Sequence, residues 1–295
     1  VDIFDGRVVM VTGAARGIGE ATATLLARRG ADLLLTDIDQ AALDDLAARL
    51  TATGTRVEAV ACDVRDLGAT QAAVARAVEA FGGIDVVVAN AGVASYGTVL
   101  TVDPDAFRRV LDTNVLGVFH TVRAALPTII ERRGYVLVVS SLAALAATPG
   151  MAAYDASKAG VEHFANALRM EVAHLGVDVG SAHMSWIDTP LLREAREDMS
   201  SFDEMLAALP APLRAVTSAE DCAKAFVEGI EARKRQVFVP GWLSSLSRLR
   251  MILNSRLGDR MSARDRARLI ARTDTDVRRL GRSTGPRYTE SDVGG

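Results

Sequence analysis

Runs of Val, Leu and Ile recur along the chain at 8–12, 32–36, 57–61, 84–89 and 135–140. Each is apolar at consecutive rather than alternate positions, so the strand it predicts is covered on both faces. Between them lie Ala- and Leu-rich segments, 19–29 and 40–52 among them, with apolar positions at helical spacing. Such alternation predicts a parallel sheet with helices on both sides. Right-handed crossovers then make it an α/β, doubly wound, Rossmann-type sheet of about seven strands. Further along, the pattern predicts a long helix at 153–175, a strand at 178–183, a helix at 218–231 and a last strand at 236–239. No repeat or linker interrupts this stretch, which reads as a single domain over residues 1–240.

After residue 240 the pattern changes. Residues 241–295 hold twelve Arg, no Lys and six acidic residues, a local charge of +6 against −9 for residues 1–240. Trp242, Leu243, Leu246, Leu249, Ile252 and Leu253 predict a short amphipathic helix with arginines on its other face. The segment reads as a basic, partly helical extension, disordered from Arg282 onward. Its helical part over 241–270 is open to several roles: weak contact with a membrane surface, a subunit contact, a pocket cover, or a solvated extension.

The 295 residues are 49% apolar and 24% charged, which suffices for one large core. A net charge of −3 gives no global pull toward nucleic acid or an anionic membrane. Cys62 and Cys222 make no disulfide framework and show no metal spacing, which fits a reducing compartment. Residues 1–6 carry no basic stretch ahead of an apolar run, so no secretory leader is expected. No apolar run approaches the ~18 residues of a membrane helix. The expectation is a cytoplasmic protein, peripheral to a membrane at most.

The first strand runs into Thr12-Gly13-Ala14-Ala15-Arg16-Gly17-Ile18-Gly19, and a helix follows. A glycine turn at that junction lets backbone N–H groups approach a pyrophosphate at the helix N-terminus. Gly13 supplies the turn, Gly17 close approach and Gly19 helix–strand packing; the spacing is not the usual G-x-G-x-x-G. Asp37 ends the second strand, where a carboxylate accepts from adenosine ribose hydroxyls and repels a 2′-phosphate. This favours NAD over NADP. Arg16 points the other way, since a guanidinium can pair with that phosphate. Asp63 and Val64 end the third strand, where Asp63 could meet the adenine amine or serve as a turn residue. Asn90-Ala91-Gly92 ends the fourth, with small residues where backbone would run beside the cofactor.

Tyr154 and Lys158 stand four residues apart in the long helix, on one face. A phenol is a poor base at neutral pH. A nearby ammonium, aided by a positively charged nicotinamide, should lower its pKa toward working pH. Ser140 and Ser141 end the fifth strand, where a hydroxyl faces the ligand crevice and can donate to a substrate carbonyl. Asn114 falls inside a helix predicted over 112–131, an unfavourable place that invites either a functional role or a packed kink. His120, His163, His174 and His183 lack ligand spacing, so no metal is expected.

Together, Thr12–Gly19, Asn90–Gly92, Asn114, Ser141 and Tyr154–Lys158 resemble the single-domain branch of the short-chain dehydrogenase/reductase family, over roughly residues 6–239. The resemblance implies an NAD(P)-dependent oxidoreductase acting on a small-molecule secondary alcohol or ketone. In it Tyr154 is the acid/base, and Lys158 lowers the tyrosine pKa and bonds the nicotinamide ribose. Ser141 orients the substrate, and Asn114 anchors a water in the proton relay. Ile187 and Thr189 lie in the segment that meets the nicotinamide carboxamide. A homo-dimer or homo-tetramer is common among such proteins. One departure stands out: Met184-Ser185-Trp186 occupies the place of the family's Pro-Gly. Trp186 either lines the substrate pocket or plugs the core. Residues 191–212 read as a substrate lid, with Leu191, Leu192 and Phe202 facing the pocket. A lipophilic substrate of steroid, terpenoid or long-chain type follows from that apolar content. The alternatives are an NADPH-dependent biosynthetic ketoreductase and, in another class, a non-catalytic nucleotide-binding regulator.

Overall fold

The computed structural model of the chain describes residues 2–209, 211–250, 255 and 263–286. Among them seven strands form one sheet: β1 (Val8–Thr12), β2 (Asp32–Asp37), β3 (Val57–Ala61), β4 (Val86–Ala89), β5 (Tyr135–Val139), β6 (Asp178–Met184) and β9 (Gln236–Val239). Their order is β3-β2-β1-β4-β5-β6-β9, and every neighbouring pair is parallel. The chain winds outward from β1 to β3, then begins again at β4 on the other side of β1. That reversal opens a crevice at the carboxyl ends of β1 and β4. β7 (Trp186–Ile187) and β8 (Val216–Thr217) pair separately.

Side chains of β1 alternate between two buried layers. Val9 and Val11 pack with residues of α1 (Gly17–Arg28), α2 (Gln40–Thr51) and α10 (Ala219–Glu231). Val8 and Met10 pack with α3 (Leu67–Phe81), α5 (Gly117–Glu131) and α6 (Ala152–Val172). Both faces are dry, which is why the strands show no polar alternation. The helices start where short polar side chains cap them: Asp39 accepts from Ala42 N–H, Asp66 from Gly68 and Ala69, and Ser218 from Asp221. Each such cap stabilises its helix by about 1 kcal/mol.

Two regions differ from the sequence pattern. The helix expected over 112–131 begins earlier, as α4 (Pro104–Leu111) capped by Asp103, and passes through a π-turn at Asp112–Leu116 into α5. Asn114 lies in that wide turn. Single π-turns inside helices are frequent at functional sites. In the extension, α11 (Leu243–Ser247) covers only part of the helix expected around Trp242–Leu253, whose residues 251–254 lie outside the described ones. A longer helix follows, α12 (Ala263–Leu280). The segment after it was expected to be disordered, yet Ser283 and Thr284 are buried and Thr284 bridges antiparallel to Ser95. These contacts order what composition alone could not. Residues 287–295 lie outside the described ones, as does much of the 241–270 stretch read as a membrane contact. No described helix is long and apolar enough to cross a membrane.

Candidate active site

β1 ends at Thr12 and the chain turns at Gly13, with φ +62°, and Gly17, with φ +57°. Both angles favour glycine. A Cβ on Gly13 would lie 2.9 Å from Ala91 Cα, and one on Gly19 would strike the Gly13 carbonyl oxygen. Space here is therefore set by backbone against backbone. Asn90 ties the two strand ends together: its Nδ2 donates to the carbonyls of Thr12 at 2.9 Å and Gly13 at 3.1 Å. The N–H groups of Asn90 and Ala91 both donate to Thr12 Oγ1, each at 3.0 Å.

Asp37 is held from both sides. Ala15 N–H donates to its Oδ2 at 3.0 Å and Asp39 N–H to its Oδ1 at 3.1 Å. Arg16, the candidate partner for a 2′-phosphate, is ion-paired with Asp39. Asp63 is likewise engaged by Arg65, whose Nε and Nη2 reach its Oδ2 at 2.8 and 2.5 Å. Asp39 and Arg65 are the partners that sequence reasoning missed. Of the residues expected at the cofactor, Gly13, Arg16, Gly17, Ile18, Asp37, Asp63, Val64, Asn90, Ala91, Gly92, Tyr154, Lys158 and Thr189 line one continuous cleft. Ala15, Gly19 and Ile187 are not at its wall: Ala15 supports Asp37, Gly19 packs beneath the turn, and the Ile187 carbonyl accepts from Thr189 Oγ1 at 3.3 Å. A Cβ on Gly17 would meet Thr189 Cγ2 at 3.2 Å, so Thr189 leans over the glycine loop. The cleft also takes in Ile38, Arg109, Thr113 and Glu194, none of which the motifs marked.

The Lys158 ammonium lies 5.6 Å from the centroid of the Tyr154 ring and donates to Val139 O at 2.9 Å. The two serines divide their work. Ser140 is fully buried and donates to Lys158 O at 2.8 Å. Ser141 Oγ accepts from Ala143 N–H at 3.2 Å. Burial pushes the Tyr154 phenol up, with the Ser141 hydroxyl pulling against it. The ammonium sits over the ring rather than at the oxygen, so desolvation wins here. Burial also pulls Lys158 down to about 8. Next to the tyrosine, Asp155 accepts from Thr148 N–H at 2.7 Å while its Oδ1 is buried without a partner. Burial raises this carboxyl to about 7.

Asn114 commits both amide donors, and one lone pair of its amide oxygen, to protein. Oδ1 accepts from Val93 N–H at 2.8 Å, and Nδ2 donates to Val93 O and to Ser157 Oγ, both at 2.9 Å. Its side chain thus clamps the segment after β4 to α6, and its amide holds no spare donor for a water. A Cβ on Gly92 would lie 3.2 Å from Asn114 Oδ1 and 3.4 Å from Lys158 Nζ, so these groups close on one point.

On its other side Tyr154 packs into an apolar cluster with Trp186, Leu191, Leu192, Met199 and Phe202. Trp186 therefore belongs to the cluster that Tyr154 packs against. Its ring meets Phe202 edge-on at 5.2 Å, and its Nε1 donates to Leu213 O at 3.0 Å. Where Pro-Gly is missing, Met184 pairs with Val239 in the sheet, Ser185 N–H donates to Val239 O at 2.9 Å, and Trp186–Ile187 become β7. That ribbon delivers Thr189 to the start of α7 (Pro190–Asp198), which it caps.

A family model for short chain dehydrogenase matches residues 7–200. The chain belongs to the short-chain dehydrogenase family. This short-chain dehydrogenase is thus an oxidoreductase, and its relatives agree. Oxidoreductase UcpA of Salmonella typhimurium is 38% identical over 213 residues, 70% of this chain and 81% of that protein. The (-)-trans-carveol dehydrogenase of Rhodococcus erythropolis is 36% identical over 204 residues, 64% of this chain and 74% of that one. Among solved structures, a short chain dehydrogenase of Mycobacterium paratuberculosis bound to NAD matches with TM-score 0.71 and 32% identity, over 80% of this chain and 96% of that chain. A short chain dehydrogenase/reductase of Burkholderia phymatum in complex with NAD matches with TM-score 0.76 and 27% identity, over 85% of this chain and 94% of that chain.

Proposed function

We propose that this short-chain dehydrogenase interconverts a lipophilic secondary alcohol and its ketone with NAD(H), using Tyr154 as acid and base. One observation carries the reading: Tyr154 belongs both to the wall of the glycine-loop cleft and to the apolar cluster beyond it. A proton-transferring group at that junction touches a dinucleotide on one side and an apolar substrate on the other.

The residues fit a dinucleotide. A turn in which added Cβ atoms would meet backbone is shaped for close approach of a pyrophosphate. NAD(H) supplies or takes up the hydride. In oxidation, the substrate's O–H proton passes to Tyr154 as the carbinol carbon gives up its hydride; in reduction Tyr154 returns the proton to the carbonyl oxygen. Ser141 donates to that oxygen as charge builds on it. Lys158, at about 8, is mostly cationic at neutral pH and favours the phenolate. Burial alone holds the phenol protonated, so full activation also needs the positive charge of the oxidised nicotinamide. Asp37 and Asp39 give the ribose end two carboxylates against one arginine already paired, which supports NAD. The apolar cluster and the carveol dehydrogenase relative both favour a cyclic, terpenoid-like alcohol.

A panel of secondary alcohols including carveol, followed by NADH absorbance with wild type and Tyr154→Phe, tests this. Tyr154→Phe should lose turnover by about 10²–10⁴-fold while NADH affinity stays near wild type. A variant that turns over like wild type sinks the proposal.

A further inference from the structure

The apolar cluster beside Tyr154 is not closed by the family domain alone. Val277 of α12 is buried within it, 6% exposed, and Leu280 packs against it together with Trp186, Leu191 and Leu192. These two side chains come from the extension, beyond the matched family segment at 7–200.

α12 is fastened to both rims of that cluster. On one rim, in the segment after β4, the hydroxyls of Thr98 and Thr101 donate to Asp274 Oδ1 at 2.8 and 2.6 Å. Just past the helix, Tyr96 N–H donates to Ser283 O at 2.7 Å, and Asp103 N–H to Ser283 Oγ at 3.0 Å. On the other rim stand α7 and α8 (Ser201–Ala208). There Arg282 grips Asp198 through both guanidinium nitrogens at 2.7 and 2.6 Å. Asp276, 4% exposed, accepts from Ser200 Oγ at 2.9 Å and Ser201 N–H at 3.2 Å. Arg272 pairs with Glu204. Polar bonds thus hold the two ends of the crossing, and apolar side chains fill its middle. That is how a cover over an apolar cluster is held in place. A solvated extension would bury neither Val277 nor Asp276.

We propose that α12 is the roof of the substrate chamber and that Val277 and Leu280 select substrates carrying a bulky apolar body next to the reacting carbon. The proposal rests on the reading of Tyr154 as the site of the alcohol or ketone. None of the α12 residues lines the cofactor cleft, so dinucleotide affinity is separable from chamber shape.

The test uses the full chain, with carvone as the probe and NAD+ as its companion, a pair that cannot react because both are oxidised. Carvone affinity is measured by titration calorimetry for wild type, Val277→Trp and the double variant Val277→Ala/Leu280→Ala. NADH affinity is measured in parallel. Filling the roof with Trp should weaken carvone by about tenfold or more, and hollowing it with two Ala by a similar factor, as single apolar groups do in such pockets. NADH affinity should stay within about twofold, which is about 0.4 kcal/mol. Carvone binding that holds at the wild-type value in both variants, or that falls only in step with NADH, overturns the roof. A wild type that fails to bind carvone overturns its selection of cyclic bodies. A wild type that binds carvone but never oxidises carveol removes the proposed reaction while the binding ratios still support the roof.

Discussion

The proposed choice of NAD over NADP rests on three charges rather than one, Asp37, Asp39 and Arg16, and that makes it open to a double-mutant test. Asp37 is oriented by two backbone donors, at 3.0 and 3.1 Å, so its remaining lone pairs are aimed before any ligand arrives. Losing one charged hydrogen bond to the ribose costs about 1.5–3 kcal/mol, a factor of about 10–150 in NADH affinity. Asp37→Ser should show that loss. It should gain little for NADPH, because Arg16 stays paired with Asp39. Asp39→Asn removes the competing charge yet can still cap α2 through Ala42 N–H, so the helix start survives. Together the two changes should raise NADPH affinity by more than the product of the single effects, with a coupling of about 0.5–3 kcal/mol. Fluorescence titration of NADH and NADPH at fixed ionic strength measures all four proteins. Asp37→Ser with unchanged NADH affinity, or single effects that simply multiply, would refute the three-charge account.

Other expectations concern stability. Burial raises the Asp155 carboxyl from its ordinary 3.8 to about 7 in the fold, so its contribution is fully present in acid and is lost as pH climbs from about 4 through about 7. Three pKa units correspond to about 4 kcal/mol, and partial solvent access cuts that to about half. In urea unfolding between pH 4 and 8, wild type should lose stability relative to Asp155→Asn by that amount; parallel curves would count against it. Asn114→Ala strands the Val93 N–H and carbonyl together, and should cost about 2–3 kcal/mol, read by the same method. A loss under about 0.5 kcal/mol, typical of an unconstrained surface site, would mean the clamp is idle.

Much of the cofactor cleft was legible because its information is local. Gly13 and Gly17 are needed for the backbone angles at their own positions, and Asn90 bonds the strand end beside its own. Strand faces were equally readable, since consecutive apolar residues in β1 leave only one covered arrangement. What escaped depends on approach through space. Arg16 looked like a phosphate ligand until α2 brought Asp39 against it. Lys158 shares a helix face with Tyr154, yet its reach to Val139 O places the charge over the ring, and burial decides the phenol's titration. The arginine-rich composition of residues 263–286 left membrane contact, subunit contact, pocket cover and solvated extension all open. Its order comes from carboxylates and hydroxyls supplied by Asp198, Glu204, Thr98 and Thr101, far earlier in the chain.

The crossing of α12 gives assembly of this enzyme a direction in time. A ribosome that has released the chain as far as Glu194 has delivered every residue lining the dinucleotide cleft. Val277, Leu280 and Ser283 emerge later, and until they dock, the Trp186 and Phe202 side lacks their contacts. A nascent or C-terminally clipped molecule would therefore grasp nucleotide while leaving its greasy interior open to water and to chaperones.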